Sequence, residues 1–317
     1  VVQYDRAADR WIITQLGSLS SPYAECIAVS KTPDPTGAYN LYSYSFGSNL
    51  NDYPKFGVWP TATNSAYLAT YNLFANGASF AGAEICAYDR AGMLAGVVSP
   101  VGLCFTGISG ASYLPADLDG PTPPLDGTPA YFVDLYSTAG SLGTYKISLN
   151  FSTPSATLSP LSTIGVNSYS SASSVPQPGT ARLLDSLSAR LMTPLASRMY
   201  GGHQSMVATH PVSTGGVAGV RWYELQAPVS TSGSFTLFQQ GTFAPGDGIH
   251  RWMGSAAMDS TGDIALGYSA SGSILYPSLR YTGRTPADPA NTMGLEASSI
   301  NGVGAQAAYT RWSDYSS

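Results

Sequence analysis

Arginine, tyrosine and aspartate recur together at a few points of this chain. Asp52-Tyr53, Ser112-Tyr113 and His250-Arg251 each open an apolar run, and Arg311 is followed closely by Asp314-Tyr315. A guanidinium offers paired N–H donors that match a carboxylate. Asp or Tyr supplies the acid, base or nucleophile that glycosidic bond cleavage needs, and aromatic rings pack on sugar faces. Asp52, Tyr53, Arg251, Asp314 and Tyr315 are therefore the candidate catalytic residues, with His250, Arg311 and Tyr113 as candidate ligand-binding residues. The structural reading of the same positions makes Trp252 and Trp312 core wedges, with Arg251 and Arg311 bonded to nearby carbonyls.

A second candidate site is Arg198-Met199-Tyr200-Gly201-Gly202-His203, where His203 would act as acid or base beside Arg198 and Tyr200. Its structural reading is a hairpin turn whose histidine caps a carbonyl. His203 and His210 are separated by an odd number of residues, so on one strand they point to opposite faces, ~23 Å apart at ~3.3 Å per residue. They cannot share a zinc ion that way, and no Cys or Glu at zinc-ligand spacing accompanies them. No metal is expected there. Asp117, Asp119 and Asp126 in one loop offer hard oxygens to Ca2+, but the rest of an EF-hand loop is missing, and a solvated acidic loop is the alternative. No Gly-x-Ser-x-Gly elbow and no glycine-rich phosphate cradle is present.

Short strands must position these residues, because the chain repeats itself. Arg251-Trp252-Met253-Gly254-Ser255 returns as Arg311-Trp312-Ser313-Asp314-Tyr315. The run from Val2 to Ile12 has the form of the run from Ala256 to Leu266: strand, Asp-led turn, strand. Degenerate repeats of roughly fifty residues built from short strands predict an all-β fold, a single β-propeller of four-stranded antiparallel blades. Five blades are recognisable, with six or seven expected in a full protein, and residues 1–317 read as one domain. Helical periodicity is confined to Thr180–Arg190, which reads as a short helix or a turn. Asp117–Thr128 and Tyr169–Gly179 read as long loops. Inner-strand starts open on one end of a propeller, so Asp52, Tyr53, His250, Arg251, Asp314 and Tyr315 should cluster there. His203 should lie at the other end.

Only 10% of the 317 residues are charged, against about 25% in an ordinary domain. The 14 Lys and Arg residues form no cluster, which argues against nucleic acid as a partner. No apolar run approaches the ~18 residues of a membrane span. Cys86 and Cys104 lie on two runs that could pair as a hairpin and be bridged; three reduced core cysteines are the other reading. The hydroxyl-rich, lysine-poor composition favours export. The chain opens mid-strand at Val1 and stops inside the repeat at Ser317, which reads as trimming at both ends.

The runs Cys26-Ile27-Ala28-Val29-Ser30, Asp52-Tyr53-Pro54-Lys55, Gly201-Gly202-His203-Gln204-Ser205 and Arg251-Trp252-Met253-Gly254-Ser255 resemble those of a group of secreted bacterial β-propeller proteins, mostly uncharacterised. Gly219–Glu224 and Ile264–Ser269 belong to the same set. The resemblance implies the propeller fold and a place outside the cell. More distantly the chain is similar to sialidase-type glycan-active propellers. It lacks their Ser-x-Asp-x-Gly-x-Thr-Trp box and Phe-Arg-Ile-Pro segment, so no catalytic residue carries over. The expected function is binding or cleavage of a glycan or cell-surface polysaccharide, by a glycoside hydrolase or polysaccharide lyase if it is an enzyme. A non-catalytic structural or adhesive protein is the alternative. No cofactor is expected apart from Ca2+ at the acidic loop.

Overall fold

The computed structural model describes residues 1–136 and 139–312. The chain falls into two compact units: residues 1–134, 143–162 and 228–234 form the first, and residues 135–142, 163–227 and 235–317 the second. Consecutive strands pair antiparallel in chain order; three runs of four form separate four-stranded sheets, and the remaining strands belong to a sheet of nine.

In the first unit, β1 (Val2–Asp5), β2 (Arg10–Leu16), β3 (Tyr23–Ser30) and β4 (Tyr39–Gly47) form one set. Alternation drives it: Tyr23, Glu25, Ile27 and Val29 of β3 are buried while the residues between them are half-buried, the period-2 pattern of a pleated strand. The second set is β5 (Asn49–Trp59), β6 (Ala66–Ala75), β7 (Ser79–Asp89) and β8 (Gly102–Ile108). The first eight residues of β6 are all buried, which explains its continuous apolar run: a strand covered on both faces loses alternation. Between β7 and β8 lies α1 (Arg90–Ala95), capped by the Asp89 carboxylate accepting from Gly92 N–H and ended by Gly96 at φ 74°. The third set is β9 (Leu114–Leu118), β10 (Ala130–Leu135), β11 (Ser141–Asn150) and β12 (Ser155–Leu158).

A short strand, β13 (Ser162–Gly165), follows. The second unit then has β14 (Met192–Met199), β15 (His203–Thr214), β16 (Val217–Pro228) and β17 (Thr236–Phe243) as one set. The other is β18 (His250–Met258), β19 (Ile264–Ser271), β20 (Ser278–Arg284) and β21 (Ala297–Ile300). Val207, Val220, Trp222, Met258, Leu266 and Tyr268 form the apolar cluster that packs these two sets together. In the first unit the corresponding cluster includes Ile27, Val29, Val58, Tyr67, Tyr71 and Tyr88.

The protein is all-β, with three four-stranded antiparallel sheets and one sheet of nine strands among the described residues. Of the two readings of Thr180–Arg190, the helix does not form and turns and bends take its place: Leu184 exchanges backbone hydrogen bonds with Val175, and Leu187 takes φ 50°, which no helix permits. Its leucines are spaced for tertiary contact, with Leu184 and Leu187 packed against Met192 and Trp252. The one helix among the described residues, α1, is a single capped segment of six residues, too short to show a period. No helix among the described residues is long and apolar enough to cross a membrane.

Candidate functional site

Cys86 and Cys104 are directly paired across β7 and β8 and joined by a disulfide. The Glu84 carboxylate lies within 4.8 Å of both sulfurs, but bridged sulfurs offer no thiolate to a metal. Cys26 is a free, half-buried thiol.

The sequence candidates fall into three groups. Asp52, Tyr53 and Tyr113 belong to the first unit. Asp52 is exposed and pairs across the ladder with Asn72, just before a bulge in β5. Tyr53 sits in that bulge, buried and at φ 56°, with the Lys55 ammonium 3.0 Å above its ring. The Asn72 side chain in turn accepts from Ser112 N–H at 2.8 Å. The start of β5 and the residues entering β9 therefore meet at Asn72. Tyr113 is buried, donates its hydroxyl to Ser109 O at 2.8 Å, and packs beside Tyr145.

Arg198, Tyr200 and His203 form a latch in the second unit. Arg198 donates to Met258 O at 3.0 Å and Tyr200 to Asp259 O at 2.9 Å, while the His203 ring stacks on Tyr200 at 4.9 Å. These contacts tie the β14–β15 hairpin to the C-terminal end of β18. His250 and Arg251 stand at the N-terminal end of the same strand. His203 and Arg251 thus belong to opposite ends of β18. Arg311 is exposed and outside any strand, and its carbonyl accepts from Gln306 Nε2. Asp314 and Tyr315 lie outside the described residues. The loop expected from Asp117 starts later, because Asp117 belongs to β9 and accepts from Val58 N–H at 2.9 Å, whereas Asp126 is held by the backbone and hydroxyl of Thr63.

The arrangement around Arg251 is the most fully built. His250 turns away from it, its Nδ1 accepting from Ala218 N–H at 3.1 Å, and burial lowers its basicity. Trp252 and Met253, both fully buried, pack with Leu184, Leu187 and Met192, and Trp312 packs against the same cluster. Met253 adopts φ 52° at the bulge in β18. Arg251 is left pointing at two carboxylates, Asp247 four residues before it and Glu296 45 residues after it. Its Nε donates to Glu296 at 2.6 Å, Nη1 to Asp247 at 2.9 Å and to Ile249 O at 2.9 Å, and Nη2 to Asp247 at 2.7 Å and Glu296 at 3.0 Å. All five N–H groups of the guanidinium are used. The Asp247 carboxyl is held down to about 2 by these hydrogen bonds from Arg251. Glu296 also accepts from the Tyr268 hydroxyl at 2.9 Å.

Arg251, Asp247 and Glu296 line a cleft of about 560 Å³ together with Trp222, Phe243, Asn291, Met293 and Leu295. One wall is the connection between β20 and β21. It is fixed by Asn291, whose Oδ1 accepts from Gln240 N–H at 3.1 Å and whose N–H donates to Gln239 Oε1 at 3.2 Å. Gly294 N–H adds a bond to Gly283 O at 2.8 Å. Sequence reasoning found Arg251 but not Asp247, Glu296, Phe243 or Asn291. One signal was available: Glu296 is one of only four glutamates in the chain.

No protein-family model matches the chain, and no curated protein matches it. Among solved structures it is similar to a bifunctional GH43-CE protein of Bacteroides eggerthii, at 10% identity and a TM-score of 0.39, covering 97% of this chain and 36% of that one. It is similar to the endo-arabinase of Bacteroides thetaiotaomicron at 12% identity and a TM-score of 0.40, covering 96% and 93%. The GH43 BlXynB protein of Bacillus licheniformis matches at 13% identity and a TM-score of 0.38, covering 96% and 58%. The chain thus spans well under two thirds of the first and third of these proteins. Superpositions this loose establish neither a shared fold nor a shared substrate.

Proposed function

We propose that this protein binds a glycan in the Arg251 cleft, and that its five four-stranded sets are the blades of a β-propeller working outside the cell. The observation that carries the binding reading is the cleft's lining. Apolar groups of Phe243, Met293 and Leu295 share one cavity with two carboxylates locked in place by Arg251. Its volume falls in the range of ordinary small-ligand sites, roughly 300–1,000 Å³. Sugars need both kinds of surface: an apolar wall for ring C–H groups and fixed acceptors for hydroxyl donors. The disulfide supports the extracellular part of the proposal, since such bridges persist in oxidising compartments.

Binding is favoured over cleavage at this cleft. Two-carboxylate hydrolysis needs one carboxyl that is protonated near neutral pH. Asp247 is held at about 2 by its hydrogen bonds from Arg251, and Glu296 already accepts from Arg251 and Tyr268. A second reading, a glycoside hydrolase, draws on the first unit. There burial pushes the Asp117 carboxyl up to about 7, with Asp119 adding repulsion.

A glycan array followed by a reducing-sugar assay separates these readings. Saturable binding without product, weakened about tenfold by Phe243→Ala, supports the binding module; a lost aromatic contact of ~1.4 kcal/mol corresponds to tenfold. Product formation abolished by Asp117→Asn supports the hydrolase. No binding and no product would leave the structural or adhesive protein as the reading.

A further inference from the structure

Resting on the glycan reading of the Arg251 cleft, we infer that its ligand is a neutral, hydroxyl-rich sugar, and that uronates and sialic acids are turned away by charge.

An arginine in a sugar-sized cleft suggests a grip on a ligand carboxylate. Here the hydrogen-bond geometry removes that use. The five N–H groups of Arg251 are taken by Asp247, Glu296 and Ile249 O, and the guanidinium side chain is 1% exposed. What the cleft presents is the far side of this arrangement. Asp247 has 45% of its side chain exposed and Glu296 has 20%. Counting the charged lining residues gives two carboxylates and one arginine.

The cations behind the cleft do not reverse this. Arg280 approaches Glu296 at 3.8 Å but is bonded to Leu279 O, Ile300 O, Ser298 and Asn301. Arg284 lies over Trp222 and donates to Thr292 O and Asp288 O. The chain's three lysines, Lys31, Lys55 and Lys146, all belong to the first unit. An anionic sugar entering the cleft would lose hydration and meet negative oxygens, with the one lining cation already saturated by them, the costly case for a charged group. A neutral sugar would donate its hydroxyls to Asp247, Glu296 and the Asn291 amide oxygen at no such cost.

Isothermal titration with matched pairs tests this: oligogalactosides against oligogalacturonates, and oligoglucosides against oligoglucuronates, at low and at high salt. The neutral member of at least one pair should bind, with its uronate about tenfold weaker at low salt and the gap narrowing as salt screens the repulsion. Asp247→Asn should narrow the same gap by removing one negative charge. Glycans that bind with the uronate equal to or tighter than the neutral sugar overturn the inference while leaving the glycan reading intact. If no member of either pair binds and a glycan array is blank, the glycan reading falls and this inference falls with it.

Discussion

Arg90 holds Asp5 with two hydrogen bonds, Nε to Oδ2 at 2.6 Å and Nη2 to Oδ1 at 3.0 Å, across 85 residues of sequence. Asp5 is fully buried and also accepts from the Tyr67 hydroxyl at 2.8 Å and Ala8 N–H at 3.1 Å. The pair joins the end of β1 to the first turn of α1, so it ties the first set of strands to the second. Removing one member strands a buried charge, which costs about 3–5 kcal/mol. Arg90→Met should therefore lower the urea midpoint by far more than an exposed substitution such as Arg6→Met. A midpoint shift no larger than that of Arg6→Met would show that the pair contributes nothing net.

Glu25 gives a pH dependence with a definite sign. It is fully buried in β3, accepts from Asn51 Nδ2 at 2.8 Å, and burial pushes its carboxyl up to about 7. A carboxyl raised in the folded state favours folding when protonated. Its contribution is fully present below the unfolded value near 4.5 and is lost as pH rises through about 7, a difference of roughly 3 kcal/mol at 1.36 kcal/mol per unit. Glu25→Gln keeps the acceptor for Asn51 and removes the titration. The variant should match the wild type at pH 4.5 and exceed it at pH 8. Denaturation curves at the two pH values check this, and parallel losses in both proteins would refute it.

Much of the strand pattern was legible because alternation and turn chemistry are local. β1 to β4 follow the apolar alternation of residues 1–46 almost residue for residue, and the Asp34-Pro35-Thr36-Gly37 turn follows from its own residues, with Asp34 accepting from Thr36 N–H at 2.9 Å. What was not legible depends on contacts between distant segments. Arg251 stood out as a residue, but its meaning lies in Asp247 and in Glu296, 45 positions away. Nothing in the spacing says that the guanidinium is saturated. Thr180–Arg190 stayed open between helix and turn for the same reason, since Leu184 and Leu187 are spaced for the contacts they make with Trp252 and Met192. The rarity of glutamate was the better signal. Glu25, Glu84 and Glu224 are all buried and Glu296 is mostly so. In a chain this poor in charge, each acid in an apolar run marks a place where the fold must supply partners.

Gly57 marks the closest approach of β5 to β9. A Cβ at this position would lie 3.0 Å from the Ala116 carbonyl carbon and 3.3 Å from Asp117 N. These are backbone atoms, so no rotamer change relieves the clash, and the strands must separate. Gly57→Ala should cost about 1–3 kcal/mol, as overpacking does. It should also disturb Asp117, whose bond to Val58 N–H sits next to the substitution. By contrast, Gly201→Ala, where a Cβ meets nothing within 4 Å, should leave stability within about 0.5 kcal/mol of wild type. Equal thermal midpoints for the two variants would sink the close-approach argument.

His210 is the chain's deepest histidine, and its charge state is set by its surroundings. It is fully buried in β15, shares a 2.8 Å hydrogen bond between Nε2 and the Tyr223 hydroxyl, and has the Tyr169 ring edge-on at 4.7 Å. Burial, aided by repulsion from Arg221, lowers its imidazolium to about 3. The neutral ring should therefore persist through the range in which an ordinary histidine titrates, about pH 5–8. The linkage runs opposite to that of Glu25. A histidine lowered in the folded state contributes stability that is present above its unfolded value near 6.5 and lost as pH falls toward 3. The two slopes oppose each other between about pH 4.5 and 6.5, so Glu25→Gln should expose the histidine's slope as a steeper loss on acidification. Imidazole 15N shifts read the charge directly. The His210 nitrogens should keep the separated values of a single neutral tautomer from pH 8 down to pH 5. A titration midpoint near 6 would mean that the ring meets water, and that the packing of Tyr169, His210 and Tyr223 is not the one described.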